Sequence, residues 1–374
     1  MAGIYLHIPF CRKACHYCNF HFSTNLKTIE DVTQALLNEI TSRKGYFNQE
    51  KITTLYFGGG TPSILSEKQM FSIYEALNLN FDLSHLEEVT IEINPEDVSL
   101  EKLALWKSLG INRLSIGVQS FFEEDLKYMN RNHDAKQSEK AIKMSQDSGF
   151  DNITIDLIFG AHTCSDNMWS ANLDKLINLE INHASIYGLT VEENTALSHF
   201  INSGKLSDID EGKSSRQFGM TMDVLPNFGY EQYEISNYAK KGFRSKHNSS
   251  YWHGKTYLGL GPSAHSYDGK DRFWSVKNNA KYVAQSKVGS FQYELDQLDR
   301  NDRFNEAIMT GLRLKEGLDL EAISIRFPEY LDDLLSGAKE HHLRGNLKMS
   351  DKSIQLTTQG KYICDVIAAD LFQL

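Results

Sequence analysis

The chain has 374 residues, of which 41% are hydrophobic and 24% charged. These values are typical of a folded protein with two or three domains, and they exclude a disordered or low-complexity chain. The formal charge of -10 argues against a nucleic acid as partner, because a negative surface repels a phosphate backbone unless a local basic groove overrides it.

The first half of the chain alternates short apolar runs with longer amphipathic segments. The apolar runs predict six strands, at 3–8, 53–57, 89–94, 113–118, 153–159 and 184–189. The amphipathic segments predict helices at 28–44, 66–79, 99–109, 135–148 and 167–179. Ser66 with Gln69 is expected to form a capping box, and Ser99 an N-cap. This alternation predicts an α/β fold with a parallel sheet, a partial (β/α)6 TIM-like barrel.

The second half is expected to cover the barrel and to add a small domain. The polar stretch 202–215 predicts a loop or lid, and 226–275, with little helical period, predicts loops and short strands. Helical patterns at 303–312, 319–327 and 330–341, strands at 347–349 and 353–356 and a closing helix at 359–371 predict a winged-helix-like α+β domain. The domains are therefore expected at 1–225, 226–298 and 299–374.

The N-terminus enters an apolar strand without a basic region or a cleavage site, which favours a cytoplasmic protein. No apolar stretch approaches the roughly 18 residues of a membrane span. Any association with a membrane is therefore expected to be peripheral and to depend on a partner protein.

Three of the five cysteines lie on one short stretch with the spacing C-x3-C-x2-C: Cys11, Cys15 and Cys18. Three thiolates on one loop can bind three irons of a 4Fe-4S cluster and leave the fourth iron open. A zinc site is the alternative, with a fourth ligand from His7, His16 or His21. Three unrelated buried cysteines would be the third explanation. The isolated Cys164 and Cys364 are expected to be buried small hydrophobes.

Four further motifs lie at the ends of the predicted strands or directly after them. They are Gly58-Gly59-Gly60-Thr61-Pro62, Glu92-Ile93-Asn94-Pro95-Glu96, Gly117-Val118-Gln119-Ser120-Phe121 and Asp156-Leu157-Ile158-Phe159-Gly160. Together with the first strand and the cysteine loop, they resemble the radical S-adenosylmethionine (SAM) family. The resemblance is closest to the branch that contains oxygen-independent coproporphyrinogen III oxidase and the HemW haem chaperones.

The resemblance implies a 4Fe-4S cluster on the three cysteines and a SAM site along the strand ends. The matching residues of this chain are Tyr5, Tyr17, Gly60, Thr61, Glu92, Gln119, Arg131 and Asp156. Their chemistry fits, because glycines allow close backbone approach, an arginine pairs with a carboxylate, and carboxylates accept hydroxyl or ammonium hydrogens. The plainer alternatives are a tight turn at the glycines, structural ion pairs at the carboxylates and a solvated helix end at Arg131.

Two departures from the oxidase pattern favour the chaperone branch. Phe20 stands where the oxidase has a further cysteine, and little sequence precedes the first strand. The stretch His247-Asn248-Ser249-Ser250-Tyr251-Trp252 matches the H-N-x-x-Y-W motif of the chaperones, so the resemblance implies that His247 binds haem. A core histidine is the alternative, and His265 is a weaker candidate for the same role. The turn Gly160-Ala161-His162-Thr163-Cys164 lacks the family's proline, which leaves the pocket geometry open there.

The sequence therefore favours a haem chaperone with a 4Fe-4S cluster, SAM and haem, which delivers haem to an acceptor haem protein such as a membrane-bound respiratory one. The alternative is an oxygen-independent coproporphyrinogen III oxidase, which would oxidatively decarboxylate propionate side chains by radical chemistry. A scaffold that keeps the cluster only for folding is the third hypothesis. The motifs alone leave open whether the chain is an enzyme.

Overall fold

The computed structural model describes residues 1–48 and 50–373. All six predicted strands are present, at Ala2–Ile8 (β1), Ile52–Gly59 (β2), Glu88–Ile93 (β3), Arg113–Gln119 (β4), Ile153–Phe159 (β5) and His183–Gly188 (β6). The helices between them are Ile29–Ser42 (α1), Glu67–Asn80 (α2), Leu100–Ser108 (α3), Glu123–Tyr128 (α4), Ala135–Asp147 (α5) and Asp166–Asn178 (α6). The predicted caps are confirmed, because Ser66 and Gln69 form the capping box of α2 and Ser99 caps α3. The short α4 was not predicted.

These six strands pair in parallel and in chain order, from β1 to β6. The strands are buried almost throughout, as expected when helices cover a parallel sheet. The sheet continues beyond both ends with shorter strands and has two edges, so it is open and does not close into a barrel. The predicted α/β fold with a partial (β/α)6 arrangement is confirmed.

The segment after β6 is more helical than predicted. Helices lie at Ala196–Asn202 (α7), Glu211–Val224 (α8), Lys246–Trp252 (α9) and Asn279–Lys287 (α10). The short strands are Glu231–Gln232 (β7), Asn237–Ala239 (β8), Tyr257–Leu260 (β9), His265–Tyr267 (β10), Arg272–Ser275 (β11) and Tyr293–Asp296 (β12). The prediction of a loop over 202–215 is wrong at its end, because α8 already begins at Glu211, where Asp210 caps it. The prediction of loops and strands alone over 226–275 missed α9, whose seven residues are too few to show a helical period.

Strand β9 extends the parallel sheet beyond β1. It pairs in parallel with β1, Gly3 opposite Tyr257, and the antiparallel strands β10 to β12 follow outward. At the other end, β8 pairs antiparallel with β6. The segment therefore completes both flanks of the sheet.

The C-terminal region packs around a second hydrophobic core. It contains helices Arg300–Arg313 (α11), Leu320–Arg326 (α12), Leu331–Leu343 (α13), Thr358–Lys361 (α14) and Cys364–Asp370 (α15). Its strands are Leu318–Asp319 (β13), Leu347–Met349 (β14) and Ser353–Leu356 (β15), in the antiparallel order β13-β15-β14. The winged-helix-like domain is confirmed, although the predicted closing helix is divided into α14 and α15. The domain boundaries after 225 and 298 stay predictions.

Across the described part of the chain, none of the helices combines the length and the apolar character that a membrane span requires.

Candidate functional site

The carboxyl ends of neighbouring parallel strands bring the predicted site residues together. Glycine-rich and polar residues follow β1 to β5 at one edge of the sheet, where ligands bind in open parallel sheets. The predicted residues on these strands and the turns after them are Tyr5, Gly60, Thr61, Glu92, Gln119 and Asp156. Parallel pairing thus converts five separate motifs into one site.

The three predicted cluster cysteines lie on the loop between β1 and α1. All three are free thiols and partly exposed. The loop closes on itself, because Cys11 donates its backbone N–H to Ser23 O at 3.1 Å and Ser23 donates to Pro9 O at 2.9 Å. It is also held from outside, where the Asn130 amide donates to Ala14 O at 2.7 Å. The thiols are therefore presented by an ordered loop.

The surroundings of these thiols would suit bound metal. Burial raises the pKa of Cys11 to about 12 and also raises that of Cys18, so an unligated thiolate is disfavoured there. A bound metal removes the thiol proton and supplies the missing positive charge. Two polar groups already face the sulfurs: Thr61 Oγ1 lies 3.4 Å from Cys11 Sγ, and Arg131 donates to Cys15 Sγ at 3.3 Å.

A single metal ion brings all its ligands within about 2 Å of one point, whereas a cluster bonds each thiolate to a different iron. Among residues 1–48 and 50–373, the structure contains no group of three histidine, cysteine or acidic side chains gathered closely enough for one ion.

Arg131 connects the cysteine loop to the strand ends. Its guanidinium donates to Asn94 Oδ1 at 2.7 Å and to Gly117 O at 2.9 Å, in addition to Cys15. Its Nε is buried and has no partner within the described residues. Arg131 is thus held by these contacts at the strand ends and is not a solvated helix end, and its role toward a ligand stays a prediction. An unpaired buried donor of this kind fits an anionic group of a ligand, such as a carboxylate.

The turn after β2 brings backbone into close contact with the cysteine loop. A Cβ on Gly60 would lie 2.6 Å from Phe10 O and 2.8 Å from Ile8 O, so only glycine fits without a shift. Gly59 has a φ of +104°, which disfavours other residues. Its N–H donates to Glu92 Oε2 at 3.1 Å. The glycines therefore hold the cysteine loop against the strand ends.

Two carboxylates lie along the strands of the site. Enclosure by the protein raises the pKa of Glu92 to about 7 and that of Asp156 to about 6. Tyr56 donates to Glu92 at 2.9 Å, and the buried Arg113 lowers both pKa values again by its charge. Such carboxylates can accept hydrogen bonds from an ammonium or ribose hydroxyls.

Two other predicted residues complete this surface. Gln119 ends β4 with a φ of +66°, a conformation that non-glycine residues rarely adopt and that often occurs at functional sites. Tyr17 lies near Arg131, and burial raises the pKa of its phenol. Sequence analysis missed Asn94, which joins Arg131 to Thr61 through bonds of 2.7 and 3.3 Å. Its position inside the quoted motif 92–96 was the available signal.

The altered turn after β5 is well supported. Gln217 of α8 accepts from Gly160 N at 2.8 Å and donates to Cys164 O at 3.1 Å. Gly160 has a φ of +81°. The side chain of Gln217 therefore fixes the turn. Cys164 and Cys364 are both buried, as predicted.

His247 is buried against the parallel sheet. Both ring nitrogens are engaged, Nδ1 with Thr54 Oγ1 at 2.8 Å and Nε2 with Tyr251 OH at 2.7 Å. Burial lowers the pKa of this imidazole to about 3. Helix α9 is fixed there because Glu88, at the start of β3, accepts the N–H groups of Lys246 and His247. Both ring nitrogens therefore have partners within the chain, as in a core histidine, and the role of His247 as haem ligand stays a prediction. His265, by contrast, is exposed.

Comparison with known proteins agrees with this geometry. Residues 5–176 match the Radical SAM superfamily, and residues 298–363 match the HemN C-terminal domain. The chain is 32% identical to the heme chaperone HemW of Bacillus subtilis, over 97% of both chains. It belongs to the HemW family of radical SAM proteins. The HemW of Escherichia coli is 34% identical over 84% of this chain and 83% of its own.

The HemW family also has relatives outside bacteria and a related solved structure. The mitochondrial radical S-adenosyl methionine domain-containing protein 1 of Danio rerio is 29% identical over 98% of this chain and 86% of its own. The coproporphyrinogen III oxidase HemN of Escherichia coli superposes with a TM-score of 0.86, covering 100% of this chain and 90% of its own at 23% identity. At that identity the likeness shows the fold alone. The family resemblance predicted from the motifs is confirmed.

Proposed function

We propose that this protein is a haem chaperone, which binds haem, one 4Fe-4S cluster and SAM and transfers the haem to an acceptor haem protein. The observation that carries the proposal is the similarity to HemW chaperones over almost the whole chain, combined with an intact thiol loop at the strand ends. An acceptor in a respiratory complex at the membrane fits a cytoplasmic chaperone that meets the membrane through its partner.

The cluster and SAM are assigned to the edge of the sheet described above. Cys11, Cys15 and Cys18 would hold three irons, and the open iron would bind the amino acid end of SAM. Arg131 would pair with its carboxylate, while Glu92 and Asp156 would accept its ammonium or ribose hydroxyls. The remaining assigned residues are Tyr5, Tyr17, Gly60, Thr61 and Gln119. When bound, the cluster and SAM supply one-electron chemistry.

The coproporphyrinogen oxidase remains the second candidate, because the solved oxidase shares this fold. Phe20 argues against it, since it occupies the place of the oxidase's further cysteine and is 67% exposed beside the cluster loop. A phenyl ring cannot replace a thiol in redox or ligand chemistry. We therefore assign haem transfer and not porphyrinogen oxidation.

A first experiment tests the cluster. Each of the three cysteines is changed to alanine, the proteins are reconstituted without oxygen, and iron, sulfide and visible absorbance are measured. We expect each change to remove most of the cluster, because each thiolate binds a different iron. Cys164→Ala is the matched control and should keep the cluster, since Cys164 is buried in the turn between β5 and α6 and not on the cysteine loop. Loss of the cluster only in the control would refute the assignment.

A second experiment separates the two functions. The reconstituted, reduced protein is given SAM with coproporphyrinogen III, and in a parallel sample haem with an apo haem protein. We expect haem to reach the acceptor and no protoporphyrinogen IX to form. Steady production of protoporphyrinogen IX would establish the oxidase in its place.

A further inference from the structure

A cleft of about 740 Å³ lies between the sheet and the C-terminal domain. One wall comes from the cluster loop and strands β10 and β11, the other from α11 and α12. Its volume falls in the range of about 300 to 1,000 Å³ typical of cofactor and ligand sites. Aromatic side chains line much of it: Phe20, Tyr251, Trp252, Tyr257 and Tyr267. Flat aromatic walls suit a large planar ligand.

The charge of the cleft is opposite to that of the protein. Two carboxylates line it, Glu306 and Asp319, although the whole chain carries -10. The cations that line it are Lys255, Arg272, Lys277, Arg303 and Arg326. Arg272 pairs with Glu306 at 2.6 Å, whereas Lys277 has no ion pair within the described residues. A planar ligand that carries carboxylates would find its counter-charges here.

Four histidines line this cleft, and they differ in whether their ring nitrogens already form hydrogen bonds within the chain. His7 uses both, with Tyr5 OH at 3.1 Å and His21 O at 2.8 Å. His21 uses Nε2 with Asn279 at 2.7 Å. His253 and His265 make no side-chain hydrogen bond within the described residues. His265 alone of these two is fixed, because it lies in β10 and stacks on Trp274 with ring centroids 5.4 Å apart.

We propose that haem would bind in this cleft, where the imidazole of His265 would ligate its iron and Lys277 and Arg272 would supply counter-charges for its propionates. The inference rests on the proposed function and adds the site and the ligand to it. Haem iron is bound by the neutral form of an imidazole. A strand holds such a ligand in a fixed position. Partial enclosure by the cleft and the charges of Arg272 and Lys277 lower the pKa of His265, which favours the neutral imidazole.

In this arrangement His247 is a positioning residue. Its Nε2 bonds Tyr251 OH at 2.7 Å, and Tyr251 lines the cleft. His247 therefore fixes an aromatic wall without touching the haem. Its replacement should weaken haem binding and leave the axial ligand unchanged.

The test is a haem titration of the full-length protein, followed by absorbance and electron paramagnetic resonance. The variants are His265→Gly, His247→Gln and the control His85→Gly, a change at an exposed histidine that does not line the cleft, with circular dichroism to verify folding. We expect His265→Gly to raise the Kd for haem roughly tenfold or more and to change the spectrum, because one iron ligand is lost. Free imidazole should restore the wild-type spectrum of His265→Gly. His247→Gln should raise the Kd for haem and keep the wild-type spectrum, whereas His85→Gly should match the wild-type protein in both.

Each outcome decides a separate point. Haem binding by His265→Gly with wild-type affinity and spectrum would overturn the site while the haem chaperone proposal stands. A spectral change in His247→Gln that imidazole reverses would move the ligand to His247 and also overturn the inference. Failure of the wild-type protein to bind haem at all would instead refute the proposed function.

Discussion

The contact at Gly60 gives a quantitative test of how the cluster loop is held. In Gly60→Ala, the new Cβ would lie 2.6 Å from Phe10 O, whereas ordinary contact begins at 3.4 Å. The loop or the turn must therefore move by about 0.8 Å, the difference between these distances. The neighbouring atoms are backbone and cannot rotate away. The movement would strain the hydrogen bond from Gly60 N to Ile8 O, now 2.9 Å long.

Overpacking of this kind costs about 1 to 3 kcal/mol. We expect Gly60→Ala to lower the free energy of unfolding of the apoprotein by about 2 kcal/mol in urea. The same shift should separate Thr61 from Cys11 and reduce iron bound per chain after reconstitution. Gly45→Ala is the control, because a Cβ there meets nothing within 4 Å. Wild-type stability and full iron content in Gly60→Ala would refute the contact argument.

Two further predictions concern charged groups of the site. The pKa of Glu92 is raised from 4.5 to about 7 in the folded chain, so the folded state holds a proton that the unfolded state releases. The free energy of unfolding of the apoprotein should therefore fall as the pH rises from about 5 to about 8, and Glu92→Gln should reduce that fall. Urea titrations at several pH values in this range measure it. The same pH dependence in Glu92→Gln and in the wild-type protein would contradict the prediction. Arg131→Lys should reduce the iron bound per chain roughly twofold or more, because one ammonium cannot reach the three acceptors that the guanidinium bridges. Iron and sulfide analysis after reconstitution measures this. Full retention of the cluster would show that these three contacts are dispensable.

The sequence determined the parallel core and the cluster loop. Each strand from β1 to β6 is a short apolar run between turn signals, a pattern that neighbouring residues alone define. The grouping of the three cysteines could be predicted without the tertiary structure, because they lie within eight residues on one loop. The capping box of α2 is equally local, since Ser66 and Gln69 contact each other across one turn.

The tertiary structure decided what the region after β6 does. Strand β9 pairs with β1 although Gly3 and Tyr257 are about 250 residues apart, and no local pattern encodes such a pairing. Helix α9 places His247 against Thr54 and Tyr251, so a histidine that a motif marks as a ligand is enclosed by neighbours from other elements. The exposure of His265 toward the cleft likewise depends on how the C-terminal domain packs on the sheet. Whether a side chain is buried or faces a cleft depends on contacts between residues that are distant in sequence, and local sequence patterns do not predict such contacts.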